Sequence, residues 1–139
     1  MLVRDVMTPD PITVQPDDTL LTAQERMAEC ACRRLPVVDQ DRRLVGIITD
    51  RDVRLALNSP LVLRERWQDD MLVTQTTVEI CMTADPLTIA PDAPLELVVD
   101  ALLKRKISGL PVVEGDRLVG IITVTDLLIA LRDLLVQQR

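Results

Sequence analysis

The chain reads as an α+β protein of two pseudo-symmetric units, each in the order strand, helix, strand, strand, helix. Three observations lead there. The sequence is internally duplicated. Each copy alternates short aliphatic runs with amphipathic stretches. The composition is almost wholly aliphatic. Of 139 residues, 47% are hydrophobic, with 48 Leu, Val and Ile against 1 Trp and no Phe, Tyr or His. At this length a single core, or two small halves sharing one, is within reach.

The duplication is direct. Residues 6–57 align with 81–131 once Arg43 is omitted, and 23 of the 51 positions are identical. Average residue frequencies would give about 3. Met7-Thr8 recurs as Met82-Thr83, Asp10-Pro11 as Asp85-Pro86, and Pro16-Asp17 as Pro91-Asp92. Leu35-Pro36-Val37-Val38 recurs as Leu110 to Val113, and Leu44 to Thr49 as Leu118 to Thr123. A unit of roughly 50 residues is too small to hold a stable core alone. Two units most simply pair face to face, and a site at their interface then occurs twice. The expected division is unit one over 1–57, a linker over 58–77, and unit two over 78–139.

Each unit opens with an extended segment, Ile12-Thr13-Val14 or Leu87-Thr88-Ile89. A helix of about 13 residues follows. In unit one Asp18 or Thr19 can cap it, with Leu20, Ala23, Met27 and Ala31 on one face. In unit two Pro94 suits the first turn, and Leu95, Val98, Ala101 and Leu102 face inward. Two hairpins come next, 35–39 with 44–48 and 110–114 with 118–122. The closing helices span about 50–57 and 124–136. The linker holds a helix stop at Asn58-Ser59-Pro60 and the apolar residues Leu61, Val62, Leu63, Trp67, Met71 and Leu72, which suggest a part-helical, packed segment. Trp67 either covers the side of the core or anchors an oligomer contact.

Composition narrows the chemistry. Without His there is no Ser-His-Asp or Cys-His catalysis and no imidazole zinc ligand. Without Phe or Tyr there is no stacking platform for single-stranded nucleic acid. The formal charge is −6 and the pI near 4.6, against a general nucleic-acid role. Three cysteines, Cys30, Cys32 and Cys81, with no secretory leader in view, suggest reduced thiols in a cytoplasmic protein. Cys30-x-Cys32 lacks the further ligands a zinc site needs. Cys81 stands where the first repeat has Val6, as a small core residue. No apolar run reaches the roughly 18 residues of a spanning helix.

The strongest motif is Gly46-Ile47-Ile48-Thr49-Asp50-Arg51-Asp52, repeated as Gly120-Ile121-Ile122-Thr123-Val124-Thr125-Asp126. A strand ends and a helix begins, with Thr at the N-cap and Asp three residues on. This is a capping box, worth about 1 kcal/mol for the Thr. The same carboxylate keeps lone pairs for a vicinal diol such as ribose, and the helix N-terminus favours an anion nearby. Both readings stand on spacing. Arg33-Arg34 and Lys104-Arg105-Lys106 end the first helices. They either complement the helix dipole or hold phosphate, for which Arg33 or Arg34 is better placed, with Arg51.

Together, Met-Thr-x-Asp-Pro, a helix, Leu-Pro-Val-Val and Gly-Ile-Ile-Thr-x-x-Asp resemble the cystathionine-β-synthase (CBS) domain. Two in tandem resemble a CBS pair, or Bateman module, over residues 3–57 and 78–131. The resemblance implies units packed through their sheets, with two clefts that take adenosine-containing ligands. The family's ribose-binding Asp falls on Asp52 and Asp126, and its neighbouring Thr on Thr49 and Thr123. The base-contacting segments fall on Ile12, Thr13 and Val14 and on Leu87, Thr88 and Ile89. The residues facing base or phosphate fall on Arg33 and Arg34 and on Ser108 and Gly109. That difference, with Arg51 against Thr125, implies unequal clefts. The expected ligands are AMP, ADP or ATP, with S-adenosylmethionine or NAD behind them, and no resident cofactor or metal. The expected role is regulatory and energy-sensing, non-catalytic and homodimeric, with the C-terminal helix offering Leu127, Leu128, Ile129, Leu131, Leu134, Leu135 and Val136 to its own core or to a second copy. An effector protein is expected but not named. The alternative is a ligand-free dimerisation or scaffold module.

Overall fold

The structure is a computed structural model and describes residues 1–57 and 66–139. Its elements run in chain order as α1 (Val3–Val6), β1 (Thr8–Pro9), α2 (Leu20–Cys30), β2 (Arg34–Val38), β3 (Leu44–Thr49) and α3 (Asp50–Leu57), then α4 (Arg66–Gln75), α5 (Val78–Cys81), β4 (Thr83–Ala84), α6 (Leu95–Arg105), β5 (Gly109–Glu114), β6 (Arg117–Thr123) and α7 (Val124–Gln137). Asn58-Ser59-Pro60 and Leu61 to Leu63 lie outside the described residues.

Two compact units result, Ile12–Pro86 and Met1–Pro11 with Leu87–Arg139. They are called the first and second unit after the repeat whose hairpin each contains. The repeats therefore trade leading segments: residues 1–11 join the second hairpin, and residues up to Pro86 close the first. The reason is strand pairing. β4 adds antiparallel to β3, with Gly46 opposite Ala84 and Ile47 opposite Thr83. β1 adds to β6 in the same register, with Thr8 opposite Ile121 and Pro9 opposite Gly120.

Each sheet therefore has three strands, ordered β2-β3-β4 and β1-β6-β5. The two-residue strands β1 and β4 and the short helices α1 and α5 were not expected from the sequence. The expected opening strands are weaker than anticipated. Val14 makes a single parallel bridge to Val37, and Ile89 one to Val112. Val14 N donates to Pro36 O (3.1 Å) and Val38 N to Val14 O (2.9 Å). Both hairpins carry a bulge at the same place, Val37/Val38 and Val112/Val113.

Glycine marks where the added strands cross. A methyl group on Gly46 would meet Met82 Sδ at 2.6 Å and Thr83 O at 2.9 Å. On Gly120 it would meet Met7 Sδ at 2.6 Å and Thr8 O at 3.0 Å. A Cβ at either position would force the crossing strand or its methionine to shift.

The helices follow the apolar periodicity. Thr19 is the α2 cap, its Oγ1 accepting from Thr22 N at 3.2 Å. Leu20, Ala23 and Met27 are buried with Leu35, Val37, Ile48 and Val53 in the first unit's core. Ala31 does not continue that face. It is the left-handed C-cap, φ 53°, and ends the helix. Pro94 likewise is the N-cap of α6, not part of its first turn. Val98 and Leu102 of α6 are buried with Leu110, Val112 and Ile122 in the second core. α4 lends Val73 to the first core, while Trp67 is 59% exposed and does not cover that core. Among the described residues no helix is long and apolar enough to cross a membrane.

Candidate functional site

In the first unit the β2–β3 hairpin sets Arg34 opposite Thr49, where β3 runs into α3. Thr49 N donates to Asp52 Oδ2 at 2.9 Å, and Asp52 N donates back to Thr49 Oγ1 at 3.1 Å. The capping box is therefore formed. Asp50 N donates to Arg33 O at 2.8 Å, which ties the helix start to the strand start. Arg34 is half-buried. Burial lowers its pKa, and the charges of Asp50 and Asp52 oppose that shift. Arg33 and Arg51 are exposed. Asp50 also pairs with Arg54 at 3.2 Å.

Val14 runs parallel to β2, which places Ile12 and Thr13 toward the end of the sheet that holds Arg34 and Thr49. Ile12 is 41% exposed, while Val14 is buried in the core. The Thr13 carbonyl accepts from Arg26 Nη1 at 2.7 Å, and Arg26 also reaches Asp18 Oδ2 at 3.4 Å. Arg26 holds the segment that the family resemblance implies contacts the base, and nothing in the periodicity of α2 singled it out. Cys81 packs against the same core. Burial, and then the Asp52 charge, hold its thiol pKa above the ordinary value.

The second unit builds the same mouth from different side chains. Gly109 lies opposite Thr123, and Val124 N donates to Ser108 O at 3.0 Å. Thr123 N donates to Asp126 Oδ2 at 2.9 Å and Thr123 Oγ1 to the same oxygen at 3.2 Å. Asp126 N lies 3.4 Å from Thr123 Oγ1. The second carboxylate oxygen, Oδ1, accepts from Thr8 Oγ1 at 3.0 Å. Thr8 comes from the opposite end of the chain and was missed by the sequence reading. The available signal was Gly120, a glycine inside a strand, which flags a close backbone approach. Leu87 is 41% exposed, Thr88 and Ile89 are half-buried, and Ile89 packs on the core. Lys104, Arg105 and Lys106 are exposed.

The cysteines differ from expectation. Cys30 and Cys32 are joined as a disulfide, while Cys81 is free. The left-handed turn at Ala31 brings their Cα atoms to 5.2 Å, within bonding reach. Among the described residues no three His, Cys, Asp or Glu side chains gather as a metal site would require.

The description of the CBS domain matches residues 3–59 and 78–133. The chain belongs to the CBS domain family. A CBS domain-containing protein of Dictyostelium discoideum is 37% identical over 130 residues, covering 92% of this chain and 89% of that one. The Arabidopsis thaliana CBS-pair protein CBSX2, solved in complex with AMP, superposes with a TM-score of 0.80 at 31% identity, covering 95% of this chain and 97% of that one. A further CBS domain pair, solved with 5′-methylthioadenosine and S-adenosyl-L-methionine, gives a TM-score of 0.80 at 30% identity over 96% of this chain and 97% of that one. Longer relatives are matched over a fraction of their length. The chain spans 20% of the inosine-5′-monophosphate dehydrogenase of Mycobacterium tuberculosis.

Proposed function

We propose that this CBS pair is a regulatory, non-catalytic module that binds an adenosine-containing nucleotide of the AMP, ADP or ATP class at the Thr–Asp mouths of its units. The observation that carries the reading is the duplicated mouth. Asp52 and Asp126 each stand at the end of a sheet and the start of a helix, held by the neighbouring Thr. Such a carboxylate can accept both hydroxyls of a ribose, and the first-turn amides favour the phosphate end. Relatives of 30% and 31% identity were solved with adenosine compounds, which supports the ligand class. Bound nucleotide would act by preferring one arrangement of the chain over another, a population shift read by an effector.

The second reading, a ligand-free dimerisation module, draws on two observations. In both mouths the Asp carboxylate is engaged in capping its own helix. In α7 no residue is fully buried, and Leu128, Ile129, Leu131, Leu134, Leu135 and Val136 are each more than 40% exposed. Thermal-shift measurements with AMP, ADP, ATP, NAD, S-adenosylmethionine and 5′-methylthioadenosine separate the two. The nucleotide reading expects a concentration-dependent rise in Tm with at least one of the first three. No rise with any compound, together with a concentration-dependent dimer, would leave the scaffold reading standing.

A further inference from the structure

The two mouths differ in how much of the carboxylate is still available. An ionised carboxylate offers about four acceptor positions, two on each oxygen. At Asp126 three are taken: Oδ2 accepts from Thr123 N at 2.9 Å and from Thr123 Oγ1 at 3.2 Å, and Oδ1 accepts from Thr8 Oγ1 at 3.0 Å. At Asp52, among the described residues, one is taken, by Thr49 N on Oδ2 at 2.9 Å.

A ribose presents two adjacent hydroxyls, and each needs an acceptor position. Asp52 can take both as it stands. Asp126 can take one of them, and receives the other only if Thr8 or Thr123 lets go. Thr123 is tied into the helix cap, by its own N–H and by accepting from Asp126 N. Thr8 is exposed and meets the carboxylate through a single hydroxyl. Thr8 is therefore the donor that yields.

The first unit has the same residue in the same register. Thr83 lies opposite Ile47 on β4, as Thr8 lies opposite Ile121 on β1. Yet among the described residues only Thr8 bonds the carboxylate of its mouth. Charge accounts for the difference. The Arg34 charge acts on Asp52, and the exposed Arg33 and Arg51 adjoin these two residues in sequence. In the second unit Ser108, Gly109 and Thr125 stand in those places and bring no cation. There neutral hydroxyls supply the hydrogen bonds that stabilise the carboxylate.

We infer that the first unit's mouth is the open ribonucleotide site, and that the Thr8 hydroxyl closes the second by standing where one ribose hydroxyl would bind Asp126. Thr8 is thus a specificity-determining residue, carried in by β1 from the opposite end of the chain. A ribose entering the second mouth exchanges one donor to Oδ1 for another, so it gains less there than at Asp52. This role rests on the proposed nucleotide function, and adds which mouth fills first and what holds the other back.

Calorimetric titration with AMP and with 2′-deoxy-AMP, which lacks one of the two hydroxyls, tests it. The wild-type chain should bind its first AMP at the mouth that is lost in Asp52→Ala and kept in Asp126→Ala. The Asp52→Ala chain isolates the second mouth. There Thr8→Ala should tighten AMP about five-fold, by freeing an acceptor from a bond to a charged group. Thr8→Ser, which keeps the hydroxyl, should not. Preference for AMP over the deoxy compound at that mouth should rise by a similar factor with Thr8→Ala. Thr83→Ala in the Asp126→Ala chain should leave the first mouth's Kd unchanged. Thr8→Ala and Thr83→Ala alone, which leave both caps intact, repeat the comparison in the otherwise wild-type chain. Loss of the first AMP in Asp126→Ala instead of Asp52→Ala would overturn the order of the mouths. An unchanged second-mouth Kd without the Thr8 hydroxyl, or no binding there at all, would overturn the closure. So would an equal gain from Thr83→Ala at the first mouth. No AMP binding to any of these chains would instead count against the nucleotide function, and the role of Thr8 would fall with it.

Discussion

The two units share a backbone and differ in chemistry. At the same strand-to-helix mouth the first unit has Arg34, Asp50 and Asp52, with Cys81 beside them, and the second has Gly109, Val124 and Asp126, with Thr8 bonded to the carboxylate. Two of the left-handed positions coincide nonetheless. Asp10 and Asp85 have φ of 44° and 47°, and Ala31 and Lys106 both 53°, whereas the hairpin loops differ, with the left-handed residue at Arg42 (64°) in one and at the non-equivalent Gly115 (66°) in the other. What the repeat preserves is the helix C-cap, the bulge and the Thr–Asp box. What it leaves free is the charge around the capped carboxylate. The second mouth presents one carboxylate held by two hydroxyls, and in the first the charges of two carboxylates act on the Arg34 guanidinium.

The comparison breaks most readily at the shared glycines. Gly46→Ala and Gly120→Ala should each cost about 1–3 kcal/mol, because the added methyl meets backbone and a methionine sulfur. Urea denaturation should show similar losses for both. A neutral result at either position would mean that β1 or β4 does not cross there. Gly120→Ala should also part Thr8 from Asp126, visible as a shift of the Thr8 resonances.

A smaller effect tests the charge difference. Arg34→Gly removes a cation on which the Asp50 and Asp52 charges act, leaving Asp50 its pair with Arg54, and Asp50→Val removes one of the two carboxylates. The double variant copies the second repeat. A double-mutant cycle should show coupling of about 1 kcal/mol, with the pair less harmful than the sum of the singles. Additive losses would show that Arg34 does not act on Asp50.

Smaller again is the Thr8 hydroxyl. Thr8→Val should cost about 0.5–1 kcal/mol by removing an exposed bond to Asp126. Thr83→Val, at the matching place in the first unit, should cost less. Equal losses would remove this distinction between the mouths.

The smallest effect concerns pH. The Cys81 thiol is held above its ordinary pKa of 9.0 by burial and by Asp52. The folded chain therefore keeps this proton when the unfolded chain has lost it. The linked stability is fully present below the unfolded value and is lost as pH rises toward the folded one. Cys81→Val, which copies Val6, should flatten the decline in stability above about pH 9. An unchanged decline would place its cause elsewhere.

Much of this was legible in the residues, for physical reasons. Apolar period and turn residues placed both hairpins and all four long repeat helices within a residue or two, and Thr-x-x-Asp marked the caps. What escaped depended on contacts distant in sequence. The affiliation of Met1–Pro11 with the second hairpin rests on Thr8 pairing with Ile121, which no local pattern encodes. The Cys30–Cys32 bond needed the left-handed Ala31, whereas the apolar period carried the helix through that residue. Arg26 lies on α2 among polar residues and reads as solvated until Thr13 O is placed beside it. Trp67, the lone aromatic residue, suggested burial by its type, yet α4 presents it outward while Val73 faces the core.

The account turns on whether Asp52 and Asp126 bind a nucleotide or merely cap helices. Calorimetric titration of AMP into the wild-type chain, Asp52→Ala and Asp126→Ala decides this most directly. The account predicts saturable binding to the wild type, loss of one class of site in at least one variant, and cooperative unfolding in both. Absence of binding to the wild type, or unchanged AMP affinity and stoichiometry in both variants, would contradict it.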